Sequence, residues 1–234
     1  SSAVDKKKDS QYLAVTPVEQ HMIRTGKRFY KGDDDYDNLV RLIFDLETTG
    51  LDTEKDRIVQ LGVRLNRPIP GSPNGFEKIF TVEGNTEKEK NRSELKVIDV
   101  LFRIIYTFRP DIITAHNGEN FDWNIIIGAC KRLGTSIEEM SAKYFNGEPI
   151  RKEERESILK LGGEIETFHK TIVPTTIVTD SLHAVRRAQA IDSSMQRADL
   201  KYATEYSGMK KPNRVYTPGD KISDIWADTE HQYA

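Results

Sequence analysis

Asp45 and Glu47 stand two residues apart at the end of the apolar run LVRLIFDLE, and Asp122 closes the tract Asn117-Gly-Glu-Asn-Phe121-Asp122. Alternation along a strand puts positions i and i+2 on one side, so Asp45 and Glu47 project together while Leu46 turns to the core. Two carboxylates a strand-step apart repel, and holding them beside a core makes sense when a cation lies between them. A hard divalent metal is the natural candidate. The alternative is a solvated strand end with ordinary surface acids. Two further D-x-E tripeptides, Asp52/Glu54 and Asp228/Glu230, end no apolar strand. Asp122 falls where the chain leaves the short apolar strand DIITAH and enters a helix. There it either sits near the carboxyl ends of the strands, where open α/β folds gather ligands, or serves as a plain helix N-cap.

The elements that must hold these acids are legible from periodicity. LVRLIFDLE and IVQLGVRL read as strands, the second with Val59, Leu61, Val63 and Leu65 on one face, and FEKIFTV follows the turn-rich PIPGSPNG as a third. Asn91 and Glu94 suit a capping box for a helix carrying Leu95, Ile98, Leu101, Ile105 and Phe108, stopped by Pro110. FDWNIIIGACKRLG reads as a second helix ended by Gly134, PTTIVTD as a fifth strand, and SLHAVRRAQA as a third helix. The charged stretch at about 138–172, containing RKEERESILKLGGEIE, is expected to be a helical insertion. The order β-β-β-α-β-α-β-α predicts an α/β fold, a ribonuclease H-like mixed sheet of three antiparallel strands then αβαβα, flanked by helices.

Composition narrows the function. Lys+Arg 35 against Asp+Glu 37 leaves a formal charge of −2, which excludes a polybasic binder held by bulk charge. Cys130 is the single cysteine, so there is no internal disulfide and no Cys-cluster zinc site, and a reducing compartment is indicated. No apolar run approaches the ~20 residues that cross a bilayer. The start, SSAVDKKKDS, lacks an initiator Met and a signal-peptide core and suggests an excised soluble fragment. Residues 1–38, ending in the acids Asp33, Asp34, Asp35 and Asp37, read as an N-terminal arm, and residues 39–234 as the main domain.

FDLETTGLDTEKDRIVQLGV resembles the first motif of the DEDD (ribonuclease H-like) 3′–5′ exonucleases, and Asn117 to Phe121-Asp122 resembles the second. TDSLHAVRRAQA with LKYATEY, KPNRVY and GDKI is similar to the exonuclease domain of phage-type family B DNA polymerases. The resemblance covers about residues 40–234 and leaves the arm outside it. It implies two-metal hydrolysis of the 3′-terminal phosphodiester of single-stranded DNA, in proofreading, by a domain whose polymerase domains lie in the same parent chain in a cytoplasmic setting. Asp45 would bridge two Mg²⁺ or Mn²⁺ ions, Glu47 would bind the ion that activates water, and Asp122 would hold the second. Thr48, Asn117 and Phe121 match positions near the substrate strand, the ring able to stack an unpaired base.

The family also uses a Tyr one helical turn before a fourth carboxylate. Tyr216 and Asp220 have that spacing, but Pro218 and Gly219 between them make a turn. Tyr233 is the better match, which puts the matching Asp at 237, beyond Ala234, and predicts weak or absent activity for this fragment alone. His116 is expected to be structural, Asp180 to stabilise a strand-to-helix turn, Cys130 and Trp123 to be packed. The rival readings are a stand-alone DEDD nuclease acting on DNA or RNA, and a catalytically degenerate binding module. Intact Asp45, Glu47 and Asp122 weigh against the second.

Overall fold

The computed structural model describes residues 17–26, 38–68, 75–161, 164–209 and 221–227. The chain divides into two compact units, 1–39 and 40–234. The first contributes helix α1 (Pro17–Thr25), where the Thr25 hydroxyl donates to the His21 carbonyl.

The second unit runs β1 (Arg41–Thr48), β2 (Ile58–Leu65), β3 (Phe76–Thr81), α2 (Glu87–Phe108), β4 (Ile112–Ala115), α3 (Asp122–Arg132) and α4 (Ile137–Ala142). It continues with β5 (Arg151–Leu161), β6 (Glu164–Ile172), β7 (Ile177–Asp180), α5 (Ser181–Ile191), α6 (Leu200–Tyr206) and α7 (Ile222–Ala227). The central sheet has the order β3-β2-β1-β4-β7. β1, β2 and β3 form the antiparallel meander, whereas β4 pairs parallel to β1 and β7 parallel to β4. This is the mixed α/β arrangement of a ribonuclease H-like fold, as the element order predicts.

Alternation does the work expected of it. Leu42, Phe44 and Leu46 of β1 are buried, as are Val59, Leu61, Val63 and Leu65 of β2. α2 lays Val97, Ile98, Leu101, Phe102 and Ile105 into the same core, and α3 adds Trp123, Ile125, Ile126, Ala129 and Cys130. Burial pushes the Cys130 thiol up to about 12, so it behaves as a packed apolar group. The opposite side of β1 turns Ile43 and Asp45 to solvent, with Glu47 half-buried.

Two expectations need correction. α2 begins four residues before Asn91: Thr86 is its N-cap, accepting from the Glu89 N–H at 3.3 Å while the Glu89 carboxylate accepts the Thr86 N–H at 3.0 Å. Glu94, assigned to that box, is instead fully buried. Thr86→Ala is expected to cost about 1 kcal/mol, seen as a fall in Tm of roughly 2–4 °C. The stretch 138–172 is also no helical insertion. After the short α4 it forms an antiparallel ribbon, β5 on β6, with Ile158 opposite Thr167 and Lys160 opposite Ile165. Its many Glu, Lys and Arg residues favour a helix locally. Ile158, Ile165, Thr167 and Phe168 on either side of Gly162-Gly163 favour strands, and cross-strand pairing prevails.

Candidate active site

Asp45 and Glu47 lie on one face of β1, as their spacing predicts, with Leu46 only 6% exposed on the other. A bulge between Glu47 and Thr48 ends the regular pairing with β2, and Thr48 donates its hydroxyl to the Gly50 carbonyl at 2.6 Å. β4 runs parallel to β1, so its C-terminal end delivers the next segment to the same end of the sheet. That segment is the turn 116–121 and the first residue of α3, Asp122.

Asp122 does not cap its helix. The N-cap position is Phe121, which makes no side-chain cap bond, and Asp122 turns its carboxylate sideways. Its Oδ1 accepts the backbone N–H of Leu46 at 3.1 Å, across 76 residues of sequence. The two motifs are therefore joined at the residue between Asp45 and Glu47. Next to this bond the Trp123 indole meets the Phe44 ring edge-on, centroids 5.1 Å apart, and both rings are buried.

The charges at this junction are unfavourable to one another. Burial, then the nearby Asp45 charge, pushes the Asp122 carboxyl up to about 7. Burial and the same Asp45 charge raise Glu47, while Lys201 of α6 pulls it down. Asp45 is thus the common neighbour of the other two acids. Among the described residues, however, no three His, Cys, Asp or Glu side chains close on one point as a metal cage would. The donor set still fits hard divalent ions: three oxygen donors, with two of the acids held in costly proximity to Asp45's charge.

The turn carrying Asn117 and Phe121 is held from behind. Asn117 adopts φ +64°, a left-handed conformation that Asn tolerates better than most residues. Its N–H donates to Asp180 Oδ1 at 2.9 Å, the Glu119 N–H donates to Asp180 Oδ2 at 3.1 Å, and the Leu182 N–H donates to Oδ1 at 2.9 Å. Asp180 is thus both the N-cap of α5 and the acceptor that fixes the turn, a wider role than the strand-to-helix stabiliser expected. Asp180→Ala is expected to destabilise the protein by about 2–3 kcal/mol through unsatisfied N–H groups. Amide exchange at Asn117 and Glu119 is the local readout, and it should accelerate more than exchange in α2.

Glu119, which carries no signal in the sequence, anchors the ribbon to the same turn. Buried to 4% exposure, it accepts from the Thr171 N–H and hydroxyl, the latter at 2.6 Å, and from Lys152 Nζ at 3.0 Å. Asn120 donates to Glu166 at 2.9 Å, and Arg186 pairs with the same carboxylate. His116 bonds Ser181 through Nδ1 at 3.0 Å, in keeping with a structural role. The Phe121 ring packs partly buried against the core. Tyr233 and the rejected pair Tyr216 and Asp220 lie outside the described residues.

The fold is a ribonuclease H-like α/β sheet with Asp45 and Glu47 on β1 and Asp122 at the start of the helix that follows its parallel neighbour β4. Residues 21–196 match the family described as "DNA polymerase family B, exonuclease domain", and the chain belongs to that family. A DNA polymerase III PolC-type from Ureaplasma parvum is 36% identical over 40% of this chain and 7% of that protein. The family B DNA polymerase of the hyperthermophilic archaeon Pyrobaculum calidifontis superposes with a TM-score of 0.56. It is 23% identical, covering 83% of this chain and 22% of that one, a likeness of fold. The chain therefore spans a small part of the length of the polymerases it matches.

Proposed function

We propose that this domain removes nucleotides from the 3′ end of single-stranded DNA as the proofreading exonuclease of a family B DNA polymerase. Residues 39–234 would form the domain, residues 1–38 an arm, and the polymerase domains would follow in the parent chain. The observation that carries this reading is the bond from Leu46 N–H to Asp122 Oδ1, which brings the second motif onto the strand of the first.

Asp45, Glu47 and Asp122 would hold two Mg²⁺ or Mn²⁺ ions, Asp45 between them. When bound, such ions acidify a water molecule and stabilise the attacking and leaving oxygens of the displacement. The protein's own part is placement. β1 fixes Asp45 and Glu47 one strand-step apart, and α3 sets Asp122 against them. Asp180 holds the turn that carries Asn117, and Thr48, Asn117 and Phe121 would contact the substrate strand. Tyr233 would orient the nucleophile. No described helix is long and apolar enough to cross a membrane.

The test uses the full-length gene product, with single-stranded DNA labelled at its 3′-terminal and at an internal nucleotide. Mn²⁺-dependent release of the 3′-terminal mononucleotide first supports the reading. Release from the 5′ end, or cleavage of RNA in preference to DNA, overturns it.

A further inference from the structure

Resting on the functional reading above, the geometry points to a positioning residue far from the carboxylates in sequence: Glu94, clamped by Arg57 and Arg132, sets the distance between Asp122 and the end of β1. Glu94 is fully buried on α2. Its Oε1 accepts the Ile58 N–H at 2.9 Å and Arg132 Nη2 at 2.8 Å, while Oε2 accepts Arg132 Nη1 at 3.3 Å and lies 3.7 Å from Arg57 Nη1. Arg132 Nη2 also donates to the Asp56 carbonyl at 3.2 Å. Arg57 Nη2 reaches Glu87 at 2.8 Å and Asn91 at 2.7 Å.

Two structural paths to the site meet on this one carboxylate. Ile58 is the first residue of β2 and pairs with Thr48, the residue after Glu47, across the bulge. Arg132 is the last residue of α3, whose first residue is Asp122. A helix of this length is a rod of roughly 15 Å, so fixing its far end fixes its near end. α3 is held along its length as well. Trp123 packs on Phe44 at one end, and in the middle Gly128 sits so close to the loop that an added Cβ would lie 1.8 Å from the Thr53 carbonyl oxygen. Arg132 on Glu94 completes the fixation at the other end.

Stability does not explain the cluster. The fully buried Glu94 carboxylate faces two guanidinium groups, of which Arg57 also reaches Glu87, and Arg57 Nη1 and Arg132 Nε are buried without a hydrogen-bond partner. Replacing such buried charges by neutral groups of similar shape is often neutral or stabilising, whereas removing one partner is not. What the charges add is direction: a fork-shaped guanidinium on a carboxylate has one geometry, and that geometry registers α3 against β2.

The experiment compares Glu94→Gln, Arg132→Met and the double variant in the full-length gene product. It measures Mn²⁺ dissociation constants by electron paramagnetic resonance, and Tm in parallel. Gln keeps an acceptor for the Ile58 N–H in all variants that carry it. The single variants are expected to lose Tm and to bind Mn²⁺ about tenfold more weakly, the low end of what supporting shells of metal sites contribute. The double variant is expected to regain part of the lost Tm, since the Glu94–Arg132 pair is removed together and Arg57 keeps Glu87 as its partner, while Mn²⁺ binding stays weak because the register is gone. If Mn²⁺ affinity recovers together with Tm, or never falls in a folded single variant, the positioning role is overturned. If the unaltered protein itself binds no Mn²⁺, the functional reading falls, and the clamp's purpose with it.

Discussion

Asp45→Asn is expected to reduce Mn²⁺-dependent nucleotide release by at least about 10³-fold, equivalent to roughly 4 kcal/mol of transition-state stabilisation. The fold should be indifferent to the change. Asp45 is exposed on β1, opposite Gly62 of β2, and Asn is close to it in shape. Its charge, however, acts on both other acids: it raises Glu47 and it raises Asp122. A residue that neighbours both is the one whose loss uncouples them. Removing its charge should relieve repulsion in the ion-free protein, so Tm is expected to hold or rise slightly while activity collapses. Activity within tenfold of the unaltered protein would show that Asp45 is not the shared metal ligand.

Asp122→Asn is expected to stabilise the ion-free protein at pH 8 by up to about 4 kcal/mol, since its carboxyl is pushed from 3.8 to about 7 by burial and by Asp45. The sign follows from proton linkage. With the folded value above the unfolded one, the folded state holds more protons between about pH 4 and 7. Stability from this carboxyl is complete below that window, declines across it, and is lowest above it. The unaltered protein should therefore lose Tm between pH 5 and pH 8, and the variant should show a flatter profile. Asn retains an oxygen for the Leu46 N–H, so the fold keeps its cross-link. Saturating Mn²⁺ should raise Tm at pH 8 in the unaltered protein and not in the variant. Parallel pH profiles for the two proteins would mean that the Asp122 carboxylate carries no buried charge at pH 8.

Much of the framework was legible because it rests on local periodicity. Period-two runs announced β1 and β2, three- and four-residue steps announced α2 and α3, and Gly134, at φ +79°, closed α3 as expected of its type. The ribbon is not legible in the sequence because its residue types favour a helix locally, and the pairing of β5 with β6 that overrides them is invisible to intrinsic propensity. The start of α2 is ambiguous in the sequence because Asn91 and Glu94 have the same capping-box spacing as Thr86 and Glu89, and only burial distinguishes Glu94 from Glu89. Glu119, Lys201 and the bonds Asp180 accepts from Asn117 and Glu119 left no pattern in the chain, since each acts on groups tens of residues away, unlike the local N-cap bond of Asp180 to Leu182.

The chain's order of residues determined which side chains share a face: Asp45 with Glu47 outward, Leu46 inward, Asp122 at the mouth of a helix. Only the tertiary structure decided that Asp122 bonds across to Leu46 instead of capping α3, and that Asp45 presses on both of its acidic neighbours. The reason is physical. A face is set by the repeat of the backbone itself, whereas a contact across 76 residues depends on how α3 is docked, by Phe44 on Trp123, by the close approach at Gly128, and by Arg132 on Glu94.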